Sequence, residues 1–335
     1  MRYILRVAVV AVVVEYLLVP QLAGTRNSWH LLLGADFVFL AAAAACEAAS
    51  LLAYAALTRR LIPAHERPRY WRVLRIDLST LAVSHVVPAG SAVGLGLGYQ
   101  LLTDAGVTGV DAAAVKATQA VGSALVLNLM LWGALGASIA LHGLSPVYGP
   151  VAIVGLVLMS SAVVLVAAMR TRARPIARWL GKVIGRLPRL DADKVEAAVI
   201  TAVHYLRDFL SDPRQLRTTV GWAAANWLLD ALALWCSVRA FGHALGPVGL
   251  LVPYGIANVL AALPITPAGL GIVEAFMIPA LVGFSVPRGT AILGVLAWRG
   301  LNFLAPIPVG LAAYLSLPTK HRPSASVEER QQHLG

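Results

Sequence analysis

Apolar residues run along this chain in long blocks separated by short polar or basic stretches, and the lengths of the blocks define its elements. Six uninterrupted blocks, at 3–19, 31–57, 112–141, 150–169, 217–241 and 288–317, predict full-length membrane helices, since about 20 residues of helix cross the hydrocarbon core. Two further blocks are broken. Residues 71–103 are interrupted at Val87-Pro88-Ala89-Gly90-Ser91. Residues 248–284 are interrupted by Leu263-Pro264-Ile265-Thr266-Pro267-Ala268-Gly269-Leu270-Gly271-Ile272-Val273-Glu274. Each arm has about 12 to 16 residues, roughly 18 to 24 Å at 1.5 Å per residue, which is short of a crossing. The pattern predicts an all-α, polytopic membrane protein with about six full spans and two broken helical hairpins. Re-entrant hairpins and pairs of short crossings both fit the two broken blocks.

Composition agrees with the pattern. Of 335 residues, 59% are hydrophobic and 13% charged, where soluble domains carry about 25% charged residues. Mean hydropathy is +0.75. The first block continues through Val19 with no small-residue cleavage site, so it reads as a span rather than a cleaved signal. The membrane domain is expected to cover 1–317, with a disordered cytoplasmic tail over 318–335.

The net charge of +11 is concentrated. Arg59, Arg60, Arg67, Arg69, Arg72 and Arg75 form one cluster, and Arg170, Arg172, Arg174, Arg178, Lys182, Arg186, Arg189 and Lys194 another. Juxtamembrane clusters of this kind face the cytoplasm and meet anionic headgroups; nucleic acid is excluded as a partner because no nucleic-acid motif accompanies them. With Arg2 and Arg6 inside, both clusters stay inside only if 71–103 enters and leaves on one side. The same argument makes 248–284 a hairpin opening from the outside and brings Lys320 and Arg322 back to the cytoplasm, so both termini are expected there.

Span, broken hairpin, span therefore occurs twice, over about 31–141 and 217–317, with opposite starting sides. That is an inverted-topology repeat, in which interrupted segments at corresponding positions point to a transport site. A basic linker, 170–215, joins the halves; within it 192–211 reads as an amphipathic interfacial or linker helix.

Cys46 and Cys236 make neither a disulfide framework nor a metal site. HExxH, Walker A, GxSxG and Cys/His patterns are missing, so no catalytic residue, cofactor or metal is predicted. The candidate site instead comprises ionisable and backbone-breaking residues at membrane depth. Pro264 and Pro267 end one helix, Gly269 and Gly271 allow a tight turn, and Glu274 enters the first turn of the next helix. Arg299 lies about midway along the final span, at the depth of Glu274. Arg299 is expected either to engage a phosphate, with Glu274 as its partner, or to form a permanent bridge to Glu274. Pro88, Gly90 and Ser91 form the corresponding break in the first half. Helix N-termini at the two breaks favour anions, while Gly90, Gly94, Gly96 and Gly98 also suit close helix packing. Glu47 and Asp230 sit mid-span at matching places in the repeat, with Asn226 one turn before Asp230. They are candidates for a cavity wall, proton-relay groups or partners of cationic headgroups, or else for interhelical hydrogen bonds. Asn128, Asn258 and Asn302 read as packing amides, and His85, Lys116 and Gln119 lie near the first hairpin.

The run from Pro264 through Gly269, Gly271 and Glu274, with Arg299 in the next span, resembles the C-terminal signature of the lysylphosphatidylglycerol synthase/flippase transmembrane-domain family. Val87-Pro88-Ala89-Gly90-Ser91 and the glycine-rich helix after it are similar to that family's N-terminal break, with Ala92-Val93-Gly94 where a charged residue is expected. The resemblance covers about 1–317. It implies the translocation module of a lipid flippase without lipid lysylation, and a phospholipid or glycolipid as partner. Two other classes remain open at this point: a membrane-embedded enzyme or enzyme subunit acting on lipid-linked sugars, and a non-catalytic scaffold. An enzyme needs paired carboxylates at acid/base or metal spacing, and a scaffold needs no ionisable residues converging on two breaks.

Overall fold

A computed structural model describes residues 34–87, 90–142, 212–261 and 269–317, together with Ser160. The spans expected at 3–19 and 150–169, the helix at 192–211 and the tail lie outside these residues.

The described residues are helical throughout. Helix α1 is Phe37–Leu61, α2 Tyr70–Val86, α3 Gly90–Asp104, α4 Gly109–His142, α5 Pro213–Ala240, α6 Pro247–Ala261, α7 Ile272–Gly283 and α8 Arg288–Arg299. A π-helical turn, Gly300–Leu304, joins α8 to α9, Pro306–Leu315. Local chemistry fixes the starts of the long helices. Asp36 caps α1 by accepting from the Val38 N–H at 2.9 Å. Asp212 caps α5, accepting from Arg214 and Gln215, and Pro213 follows where its missing N–H costs nothing. Phe37–Leu61, Gly109–Leu141 and Arg288–Leu315 are each long and apolar enough to cross a membrane.

Helices α1 and α5 form the central, antiparallel pair. The Asp36 N–H at the start of α1 donates to the Ala240 carbonyl at the end of α5, 2.9 Å away. Midway, Ser50 Oγ donates to the Asn226 carbonyl at 3.0 Å. The first helices of the two expected halves, α1–α2–α3–α4 and α5–α6–α7–α8/α9, thus run antiparallel, as an inverted repeat requires. The halves also exchange elements. The first arm of the first hairpin, α2, packs on α9, whereas the first arm of the second, α6, packs on α4. Side chains are removed where these crossings are closest. A Cβ on Gly310 would overlap the Leu78 carbonyl, and one on Gly255 would lie 2.9 Å from Leu131.

Each hairpin has both feet at one end of the molecule. At the Arg-rich end, Arg72 Nη2 donates to the Asp104 carbonyl at 3.0 Å and Glu66 Oε2 accepts from the Thr108 N–H at 2.8 Å. There α3 returns beside the start of α2. At the opposite end Gly249, near the start of α6, faces Phe284 just past α7. The main core joins α4, α5, α6, α7 and α8 around Tyr254, Met277 and Trp298; a smaller one beneath the Arg-rich end joins Leu57, Ile62, Ile76 and Val115.

Candidate functional site

The second break places a carboxylate against a guanidinium. Gly269 has φ +70° and Gly271 φ +81°, conformations that favour glycine. A Cβ at Gly269 would also sit 2.6 Å from the Ala261 Cβ, where the hairpin's arms come closest. The chain then enters α7 with Glu274 in its first turn. Glu274 Oε2 accepts from the Gly271 N–H at 2.7 Å, and Oε1 accepts from Arg299 Nε at 2.7 Å. Both residues are buried, at 6% and 7% exposure. The positive end of α7 thus already holds an anion, and that anion is the helix's own glutamate.

Arg299 ends α8, where the backbone changes register. Pro306 and Pro308 supply no N–H to the carbonyls of Asn302 and Leu304. The turn closes instead with an i→i−5 bond from Ala305 N to the Gly300 carbonyl at 2.9 Å. Such π turns occur frequently at functional sites. This one carries two contacts. The Phe303 ring lies 5.0 Å beneath the Arg299 guanidinium carbon and stacks on His85 at 4.6 Å. His85 Nδ1 donates to the Phe303 carbonyl at 3.0 Å. Since His85 is in the last turn of α2, beside the first break, the first half reaches the Arg299 centre through Phe303.

Asn302, in the same π turn, belongs to a second buried cluster. Its Nδ2 donates to Asp230 Oδ1 at 3.0 Å and lies 3.4 Å from Glu47 Oε1. Asp230 also accepts from Trp298 Nε1 and from the Tyr254 hydroxyl, each at 2.7 Å. Glu47 Oε2 is buried with no hydrogen-bond donor among the described residues. A buried carboxylate requires such donors to offset its desolvation; Asp230 has three, and Glu47 has one weak one besides its side-chain hydrogen bond with Asp230.

The first half holds an ion pair in a different place. Lys116 Nζ on α4 lies 2.8 Å from Asp77 Oδ1 on α2 and 3.1 Å from Gln119 Oε1. Gln119 Nε2 continues the chain to Thr58 Oγ1 on α1. Gly98 leaves room for the lysine stem, because a Cβ there would come within 2.8 Å of Lys116 Cε.

The structure brings Glu274, Gly271, Gly269 and Arg299 together, and Glu47 with Asp230. Asn226 is elsewhere, bonding Ser50 between α1 and α5. Gly90 presses against the Ser84 backbone as Gly269 presses against Ala261, so both breaks bring the two arms of a hairpin together. Pro88, Pro264 and Pro267 lie outside the described residues, as does the side chain of Ser91. Asn128 and Asn258 donate to carbonyls one turn back in their own helices. Sequence reasoning missed Trp298, Tyr254, Phe303 and Asp77. Aromatic residues in apolar spans carry no mark of a polar partner, and Asp77 sits two residues past Arg75, where it reads as part of a solvated basic edge.

Residues 3–310 match the family described as the lysylphosphatidylglycerol synthase TM region. The chain belongs to that family and is a membrane protein. It is also similar to the inner membrane protein YbhN of Escherichia coli (strain K12), with 30% identity over 98 residues. That match spans 29% of this chain and 30% of the length of the relative.

Proposed function

We propose that this member of the lysylphosphatidylglycerol synthase TM region family is a lipid translocase. It moves the anionic or glycosylated headgroup of a phospholipid or glycolipid between leaflets, while the acyl chains remain in the bilayer. One observation carries the reading: Glu274 bridges Arg299 and the N-terminal Gly271 N–H of α7. These are a charged fork and a helix-terminal donor, the pair of groups that a headgroup phosphate would engage. In the empty state the glutamate occupies the place of the phosphate. An entering headgroup competes for both donors, and Glu274 withdraws. The Phe303 ring keeps the guanidinium aligned from below.

The inverted halves, each with its hairpin opening at one end, provide the two-sided symmetry that alternating access uses. The protein in this reading is a multi-pass protein of the cell membrane with both termini in the cytoplasm. It performs transport rather than bond-breaking chemistry.

The test is headgroup movement in vesicles reconstituted with the purified protein, measured beside its folded yield. Arg299→Lys is expected to impair movement, because a point charge cannot reproduce the fork. Glu274→Gln is expected to be milder, since it loosens the guanidinium without removing it. A purely structural bridge gives another result: both single changes lose folded protein and exchanging the two residues restores it. Normal movement by well-folded Arg299→Ala would sink the proposal.

A further inference from the structure

Two cavities open on the outer wall at the Arg-rich end, away from the Arg299 centre, and they share a residue. The first, about 500 Å³, is a groove between α1 and α5 lined by Ala49, Ala53 and Ala56 on one side and Trp222, Ala225 and Leu229 on the other, with Arg59, Arg60 and Tyr70 at its upper end. The second, about 470 Å³, lies just beyond, where Arg60, Arg67 and Arg214 meet Asp212 and Gln215. Arg60 lines both. An apolar slot thus runs into a basic pocket.

Dimensions and polarity match one leaflet. On α1 the groove extends from Ala49 to Arg60, about 16 Å of helix at 1.5 Å per residue. That is about half the 30 Å hydrocarbon core. Trp222 is 40% exposed in its wall, and Trp71, 63% exposed, flanks Tyr70; tryptophan and tyrosine favour the headgroup level. Two of the arginines here are held in place by backbone carbonyls. Arg67 is fixed by donating to the Ile62 carbonyl at 2.9 Å, and Arg59 by donating to the Pro68 carbonyl at 3.2 Å. Among the described lining residues the carboxylate is Asp212, engaged as the cap of α5 and accepting from Arg214 N at 2.9 Å.

We infer that the seam between α1 and α5 binds an anionic phospholipid of the adjoining leaflet, its phosphate among Arg60, Arg67 and Arg214 and one acyl chain along the groove. This site is separate from the Glu274–Arg299 centre and does not depend on translocation.

The experiment uses the full chain in neutral detergent. Native mass spectrometry follows retention of phosphatidylglycerol against phosphatidylcholine of the same acyl chains, with glycerol phosphate and inorganic phosphate as water-soluble competitors. Selective retention of phosphatidylglycerol is expected, with neither competitor displacing it. The double change Arg60→Ala/Arg214→Ala is expected to weaken retention about tenfold or more. Ala56→Phe, which fills the groove and leaves the charge untouched, is expected to do the same. Circular dichroism and gel filtration establish folding, and because the two variants alter different chemistry, one folded variant suffices. Headgroup movement in reconstituted vesicles is measured beside retention: a protein that retains phosphatidylglycerol without moving it fails the transport reading alone, and movement without selective retention fails this one alone. Equal retention of the zwitterionic lipid would overturn the inference. So would retention indifferent to either folded variant, or displacement by inorganic phosphate, which would mark a soluble-anion pocket.

Discussion

Three buried acidic groupings divide the polar interior of this protein, and their hydrogen bonds give them different tasks. Glu274 has a guanidinium and a helix-terminal N–H, both of which a ligand could take over. Asp230 instead satisfies Trp298, Tyr254 and Asn302; only Asn302 has another described acceptor, Glu47 at 3.4 Å. Asp230→Ala leaves two donors unpaired at about 1–3 kcal/mol each and Asn302 with only its long bond to Glu47, so it is expected to lower the melting temperature in detergent strongly. Glu47→Gln keeps an oxygen to accept the 3.4 Å bond from Asn302 and gains N–H groups to donate toward Asp230, and is expected to shift melting far less. Equal losses would mean that Glu47 and Asp230 act as one unit. The Asp77–Lys116 pair is the third grouping. Breaking a buried pair strands a charge at a cost of about 3–5 kcal/mol, while replacing both partners with apolar residues is often neutral or stabilising. Lys116→Met alone is therefore expected to destabilise severely, and Asp77→Leu with Lys116→Met to recover most of the loss. A double variant that recovers stability but not headgroup movement would give the pair a part in transport.

At the scale of elements, much was legible because a bilayer constrains sequence more than water does. The span predicted at 112–141 is α4 at Gly109–His142, and the interrupted block at 71–103 is α2 and α3, separated near Pro88. Prolines and glycines clustered at 87–91 and 263–271 marked the breaks, whereas the single Pro253 and Pro279 lie within α6 and α7. The exchange of α2 onto α9 and of α6 onto α4 was not legible, because a helix pairing leaves no period in the sequence. Nor was the π turn: the block at 288–317 read as one uninterrupted span, yet Pro306 and Pro308 shift the register that directs Phe303 and Asn302. The crossings are tight enough to test. Gly310→Val must push against the Leu78 carbonyl, a backbone atom that cannot rotate away. Overpacking of this kind costs about 1–3 kcal/mol, and melting is expected to fall accordingly. Gly269→Ala adds a Cβ at positive φ, worth about 1–2 kcal/mol, on top of its clash with Ala261. It is expected to cost more than Gly96→Ala, where a Cβ meets nothing within 4 Å. Equal thermal shifts for Gly269→Ala and Gly96→Ala would remove the argument that the break depends on glycine geometry.

The whole molecule has a polarity that follows from its charges. Arg59, Arg60, Arg67, Arg69, Arg72, Arg214 and Arg217 gather where α1 ends, α5 begins and the first hairpin has its feet, whereas Arg239 and Arg288 are at the other end. Such an imbalance orients a membrane protein with the Arg-rich end in the cytoplasm. The hairpin makes the orientation testable at a single position. Because α3 returns to the side from which α2 departed, Asp104 is expected to share a compartment with His65, although 38 residues of mostly apolar sequence lie between them. Ala244 and Arg288 are expected in the other compartment. Single cysteines placed at these four exposed positions, in a chain whose Cys46 and Cys236 are replaced by alanine, report this directly. In intact cells a membrane-impermeant thiol reagent is expected to label Ala244→Cys and Arg288→Cys, and to reach His65→Cys and Asp104→Cys only after permeabilisation. Labelling of His65→Cys and Asp104→Cys from outside, with the other two protected, would reverse the orientation and keep the fold. Labelling of Asp104→Cys without His65→Cys would mean that α2 and α3 cross as one span. The two halves would then no longer be inverted copies, and alternating access about the Arg299 centre would lose its structural basis.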